Sequence, residues 1–205
     1  MILRVIERGD PLRSEIETYV RQVFARQHAA LVREFPDRLA AVLAPDRSPL
    51  CAAGIRTAED GFFSEYYLDA PIEAALTRNC GAPVARSQVI EVTSLASDRP
   101  GHCFLLLDYI TQLGRADGRR WGVFTATEKL RRRLERTGLT VATLAAARAD
   151  AVPNRQDWGS YYDANPMVCA MRDCSWRPIS FLAPPSPPPT PALLGLLVKE
   201  SKTVD

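Results

Sequence analysis

Residues 86–95, Arg-Ser-Gln-Val-Ile-Glu-Val-Thr-Ser-Leu, constrain the fold of this chain more than any other stretch. Val89, Ile90 and Val92 make it the strongest candidate for a central strand. The turn Ser97-Asp98-Arg99-Pro100-Gly101 follows at once and opens an apolar helix over residues 102–113. A strand that turns tightly into a helix belongs to an α/β sheet with helices on its faces. Within the apolar strand stands Glu91, and an unpaired carboxylate in such a place is costly. It needs either a partner or a chemical task.

The remaining segments fit around that unit. Residues 2–6 form a short apolar strand ended by Gly9, Asp10 and Pro11. Residues 12–34 show helical spacing, with Leu12, Ile16, Val20, Val23 and Leu31 near one face. Asp10 followed by Pro11 reads as the N-cap of that helix, and Pro36 limits it. Two apolar runs, 39–43 and 50–55, are joined by Ala-Pro-Asp-Arg-Ser-Pro and predict an antiparallel hairpin. Residues 62–69 are aromatic and compatible with more than one state, and 71–78 form a short helix stopped by Asn79, Cys80 and Gly81.

Beyond the central unit, residues 121–125 are a buried strand and 128–136 a basic amphipathic helix capped by Gly138. A strand and short helix over 139–146 and a last strand over 166–171 complete the order. The sum is a mixed central sheet flanked by helices on both faces, in one domain spanning residues 1–180. From about Pro178 the composition changes, and 181–205 form a Pro-rich tail, flexible or docked, with an apolar stretch at 192–198.

Composition excludes several classes. Lys and Arg number 26 against 24 Asp and Glu, for a formal charge of +2, which leaves no basic footprint for nucleic acid. The five cysteines, Cys51, Cys80, Cys103, Cys169 and Cys174, are scattered without a Cys-x-x-Cys pair. With only His28 and His102 as imidazole ligands, neither a zinc site nor a disulfide framework is expected, and reduced, mostly buried thiols are. No apolar run reaches the ~18 residues of a membrane span. Arg4, Glu7 and Arg8 occupy the place where a secretion signal needs apolar residues, so a cytoplasmic protein is expected.

Four motifs in register carry a family resemblance. They are Phe-Phe-Ser-Glu-Tyr-Tyr-Leu-Asp (62–69) with Ala-Pro-Ile-Glu (70–73), and Arg86 with Val-Ile-Glu-Val-Thr-Ser-Leu-Ala (89–96). The others are Trp-Gly-Val-Phe-Thr-Ala-Thr (121–127), and Trp-Gly-Ser-Tyr-Tyr (158–162) before Asn165-Pro166. Together they resemble the thermostable hemolysin family over residues 10–172. After the central glutamate that family more often has Gly-Asn-Leu, where this chain has Thr93-Ser94-Leu95. The family is distantly similar to GNAT acyltransferases and to acyl-homoserine-lactone synthases. The resemblance therefore implies a GNAT-like fold and transfer of an acyl group from a thioester to an amine.

What the resemblance implies can be placed on residues. The donor, acyl-CoA or the phosphopantetheine thioester of an acyl carrier protein, would be a co-substrate with no cofactor bound permanently. It would meet Leu95, Arg99, Gly101 and His102 around the turn, because a helix start offers unpaired N–H groups to phosphate. In place of the superfamily pattern Gln/Arg-x-x-Gly-x-Gly/Ala, this turn keeps only Gly101, and Pro100 removes one donor. Thr125 and Thr127 would bond the pantetheine amides, or Thr127 simply caps the helix that follows. Arg132, sharing a helix face with Arg136, would meet phosphate or an acidic carrier, or only solvent.

Glu91 is the candidate general base for deprotonating the attacking amine, with a structural ion pair to Arg86 or Arg56 as the alternative. Tyr161 and Tyr162 are candidates for protonating the leaving thiolate, or else core aromatics. Arg56, Glu65, Tyr67 and Arg86 would bind a small amine or amino-acid-like acceptor. In that scheme Asp69 joins Glu65 in gripping a cation, or caps a helix end before Pro71. Arg56 offers a planar fork to an acceptor carboxylate or stays a surface charge. His28 is expected to be structural. A Cys-His nucleophile at His102-Cys103 is rejected, because adjacent helical residues do not face one another. Two other classes stay open, a membrane-active hemolysin-like protein and a catalytically silent GNAT-like binding module. A homodimer stays open as well.

Overall fold

The computed structural model describes residues 1–172. The Pro-rich tail, its apolar stretch and Cys174 lie outside the described residues. A seven-stranded sheet in the order β1-β2-β3-β4-β5-β7-β6 forms the body. β1 (Ile2–Ile6), β2 (Arg38–Leu43), β3 (Pro49–Arg56) and β4 (Val89–Ser97) run antiparallel in sequence. β5 (Trp121–Ala126) joins β4 in parallel, and β7 (Met167–Arg172) and β6 (Ala142–Ala146) close the far edge antiparallel. The mixed sheet expected from the order of elements is the one observed.

Helices α1 (Arg13–His28) and α2 (Ile72–Cys80) cover one face, and α3 (Pro100–Ala116) and α4 (Glu128–Arg136) the other. Alternation along the strands makes both cores. Leu39 and Ala41 face α1, whereas Ala40 and Val42 face α3. Phe104, Leu106, Leu107 and Ile110 bury one side of α3. At about 1.5–3 kcal/mol for each large side chain, these contacts fix that helix over β2, β3 and β4.

α1 stops six residues earlier than its periodicity predicts. Ala29 takes a left-handed conformation (φ 52°), and the chain then runs on without helix. Tertiary partners claim the backbone: Leu31 N donates to Asp157 O at 2.6 Å, and Arg21 Nε donates to Val32 O at 3.2 Å. Asp10 does not cap the helix directly. Its carboxylate accepts from Leu12 N at 2.9 Å, one turn-position before the helix begins at Arg13.

Candidate active site

The site grows from an irregularity in β4. At Ser94 (φ 49°) the strand bulges, and its register with β3 shifts between Ala52 and Gly54. One extra residue reverses the parity of the side chains. Glu91 and Ala96 therefore share the α1 face, whereas Val92 and Leu95 share the α3 face. Gly54 sits opposite Thr93, and a methyl group there would lie 2.4 Å from Thr93 Oγ1. Only glycine leaves that space.

The same bulge ends the pairing with β5. Val89 to Val92 pair with Trp121 to Phe124, and there the parallel ladder stops. Past it, β4 bonds only to β3 and β5 only to β7, so the two strands diverge like the arms of a V. A cleft of about 1080 Å³ fills the opening, with Thr93, Leu95, Thr125 and Thr127 on its walls.

Glu91 lies on the floor of this cleft with 1% of its surface exposed. It accepts hydrogen bonds from Phe63 N and Ser64 N, both at 2.7 Å, and from the Ser64 hydroxyl. These donors belong to the 3₁₀ turn Phe63–Tyr67, whose first N–H groups have no partner within the turn. Burial raises the Glu91 carboxyl above its ordinary range, opposed by the Ser64 and Phe63 bonds and by the charge of Arg56. Oε1 takes both Ser64 donors, whereas Oε2 takes one, so Oε2 retains acceptor capacity.

The two ion-pair partners weighed for Glu91 separate. Arg56 stands opposite it on β3 and donates through Nη1 to Asp60 O at 3.2 Å. Arg86 turns away. It grips Glu65 in a two-pronged pair, Nη2 to Oε2 at 2.9 Å, and reaches Glu73 at 3.0 Å. Glu65 also accepts from Ile72 N at 2.9 Å, and Arg86 holds its carboxyl below the usual range. Glu65 lines the cleft but is thus already engaged, and Asp69 is exposed in a pair with Arg78 at 2.6 Å. The two carboxylates four residues apart do not converge on one ligand.

Aromatic rings build the wall opposite β4. Trp158 packs on Phe63 and on Tyr161 with centroids 5.9 and 5.7 Å apart. Gly159 makes this docking achievable: at φ 48° its α-carbon lies against α1, and a methyl group would be 2.1 Å from His28 O. Tyr161 lines the cleft, and its hydroxyl points to Thr125 O at 3.5 Å, beside the open end of β5. Tyr162 is outside the lining. Its hydroxyl shares a hydrogen bond of 2.8 Å with Tyr67, which does line it. Burial raises all three phenols.

At the other end, Pro100 and Cys103 of α3 face the cleft, whereas Arg99, Gly101 and His102 are not among its walls. Arg132 also points elsewhere, paired with Glu128 at the surface. Of the α4 cations, Lys129 and Arg133, one turn apart, line the cleft, which Arg33 and Arg56 also line. The clustered arginines draw attention to Arg132, whereas the cleft lies on the side of Arg133. Leu130 and Leu134 face the core, and that stripe would have placed Arg133 beside the cleft. Sequence patterns also give no sign that Ser64 and Phe63 hold Glu91 or that Trp158 lines the cleft. Ser64 serves a carboxylate 27 positions away, a pairing that no local pattern reveals.

A V-shaped opening between parallel strands, with helices on both faces of the sheet, defines the class: the fold is GNAT-like. Among solved structures, FeeM, an N-acyl amino acid synthase from uncultured soil microbes, superposes with TM-score 0.57 at 13% identity, covering 86% of this chain and 98% of that one. The AHL synthase LasI gives 0.56 at 11% identity, covering 84% and 89%. A putative N-acetyltransferase from Lactobacillus plantarum gives 0.52 at 13%, covering 84% and 99%. The chain belongs to the thermostable hemolysin family, whose model matches residues 6–175. No curated protein matches it.

Proposed function

We propose that this protein transfers an acyl group from a thioester donor to a small amine or amino-acid-like acceptor. The observation that carries this is the end of the β4–β5 ladder at Val92 and Phe124, above a buried Glu91. Strands that diverge expose backbone groups to an amide-rich arm. A pantetheine chain threaded there would meet Leu95, Thr125 and Thr127. Lys129 and Arg133 at the cleft wall suit the phosphate of coenzyme A or of a carrier protein.

The acceptor amine would enter beside Tyr67, Arg56 and the aromatic wall. Attack needs a neutral nitrogen, and Glu91 Oε2 would take its proton directly or through a water. The nitrogen then bonds to the thioester carbon, the carbon–sulfur bond breaks, and the thiolate leaves. Tyr161, at the open end of β5, would give that thiolate a proton. A buried phenol is reluctant to ionise, so it would have to recover a proton rapidly from the amine by way of Glu91 or water.

The test is purified protein with acyl-coenzyme A and acyl-carrier donors and a panel of amines, read as thiol release. Release that depends on donor and amine together is expected. No release with any donor, together with no donor binding, would sink the proposal. A second reading, a GNAT-like binding module without turnover, is favoured by Glu91 already accepting three hydrogen bonds. It predicts donor binding with no acyl product. The membrane-active alternative finds no helix among the described residues long and apolar enough to cross a membrane.

A further inference from the structure

We propose that a second, apolar cavity beneath α3 takes the end of the donor's acyl chain, and that Gly122 of β5 and Gly114 of α3 set how long that chain can be. The inference rests on the acyl-transfer reading above and names the class of donor, a fatty acyl thioester. The cavity measures about 50 Å³. Ile90, Gly122 and Met171 line its sheet side, and Leu107, Ile110 and Gly114 its helix side.

Strand register fixes its position. Val92 and Phe124 make the last rung of the β4–β5 ladder, and Ile90 and Gly122 the rung two residues further inside. Val92, Leu107 and Phe124 line the cleft as well as the cavity, so the two spaces share these side chains as a common wall. A thioester held where the ladder opens would start its alkyl tail at this wall. Glu91 and its donors occupy the opposite face, so the apolar way out of water leads past the wall toward Ile90 and Ile110.

The glycines are an independent observation. Each stands inside a regular element, where glycine is less stable than alanine. Neither has a positive φ. A methyl group on Gly122 would meet nothing nearer than Met171 O at 4.0 Å, and one on Gly114 would rest on Ile90 at 3.4 Å. Unlike Gly54 and Gly159, they are required neither by crowding nor by backbone conformation. A glycine of this kind in a strand marks close approach of a ligand. An apolar cavity of about 150 Å³ accommodates a six-carbon ring, so this one suits about two carbons at the chain's end. Arg119, which donates through Nη1 to Ser87 O at 2.6 Å, borders the cavity just before β5 begins. Its Nε is buried without an acceptor, so a longer chain would meet an uncompensated cation.

The test measures binding of a coenzyme A thioester series, from acetyl to dodecanoyl, to the full chain and to its Gly122→Val and Gly122→Ala variants. Affinity should rise about fourfold for each methylene buried and then level off. Gly122→Val should move the plateau to shorter chains, with affinity for the longest falling about tenfold and that for acetyl-coenzyme A unchanged. Gly122→Ala, which adds one methyl group in open space, should shift it the same way by less. The same length dependence in all three proteins overturns the proposal. If chain length matters as expected but no amine is acylated, the transfer reading fails and the cavity stands. If amines are acylated with a length preference that neither variant moves, the cavity is wrong and transfer stands. Should no thioester bind, free fatty acids decide: affinity that fails to rise with length, or fails to fall in Gly122→Val, sinks the inference.

Discussion

The inner and outer halves of β4 make an instructive pair. From Val89 to Val92 the strand is paired on both sides, by β3 and β5. From Thr93 to Ser97 it keeps only β3. The inner half behaves as core: Val89, Ile90 and Val92 are buried, and even its carboxylate is fully enclosed. The outer half bulges, reverses its parity and leaves β5. One continuous strand thus supplies both a rigid base and an open wall. The transition needs two small residues, Ser94 in a left-handed conformation and Gly54 opposite Thr93. A site built at such a junction keeps its reacting groups on stiff backbone while opening the strand edge only where a ligand would lie.

That contrast can be broken most severely at Glu91. In Glu91→Ala the Phe63 and Ser64 donors lose their acceptor inside the protein. A loss of about 3–5 kcal/mol is expected in urea unfolding. Glu91→Gln keeps the shape and part of the hydrogen bonding. If Glu91 is the base, turnover should fall about 10²- to 10⁴-fold while the fold survives in circular dichroism. Unchanged turnover would reduce Glu91 to an anchor of the 3₁₀ turn.

Gly159→Ala attacks the open half from its aromatic wall. The added methyl meets the carbonyl oxygen of His28, which is backbone and cannot swing aside. A cost of about 2 kcal/mol or more is expected, with Trp158 fluorescence shifting as the segment lifts from α1. Loss of stability without any spectral change would mean that the strain spreads elsewhere.

A smaller effect separates the floor of the site from its rim. Glu65 is held by Arg86 below its ordinary value of 4.5, so the pair stabilises the fold when the carboxyl is ionised in both states. Its contribution is present above about pH 4.5 and fades as pH falls through the lower folded value. The pair is partly exposed, so Glu65→Gln should cost only about 1 kcal/mol at neutral pH. Parallel denaturation curves of the two proteins should converge in acid. A difference that persists unchanged at low pH would show that packing, not charge, holds this corner.

The smallest effects distinguish the faces of α4. Arg133→Ala should weaken binding of coenzyme A by a few-fold, increasingly at low salt. Arg132→Ala should leave it unchanged, since that side chain is exposed beside Glu128. Equal losses in the two variants would place the phosphate outside the cleft.

Much of this molecule is readable without coordinates. The strands around residues 2–6, 39–43, 121–125 and 166–171 fall where their apolar runs place them, within a residue or two. Period-two and helical spacing record which faces are buried, and burial dominates the energy of such elements. The buried Glu91 was also legible, because a carboxylate in an apolar strand stands out. Its partners were not. Ser64 and Phe63 come from a turn with ambiguous periodicity, and Arg86, the nearer cation in sequence, goes to Glu65 and Glu73. The end of α1 was not legible either, because Leu31 continues a helical spacing that segment 155–165 overrides with hydrogen bonds to Leu31 N and His28 O.

The amino-acid order by itself determined the class of fold, the family and the candidate carboxylate, since these follow from local spacing and from motifs a few residues long. Only the tertiary structure decided where β4 leaves β5, which donors reach Glu91, and which arginine of α4 faces the cleft. Each of these depends on groups far apart in the chain approaching within a few ångströms. Contacts of that kind arise from the packing of whole elements and leave no periodic trace in the residues that make them.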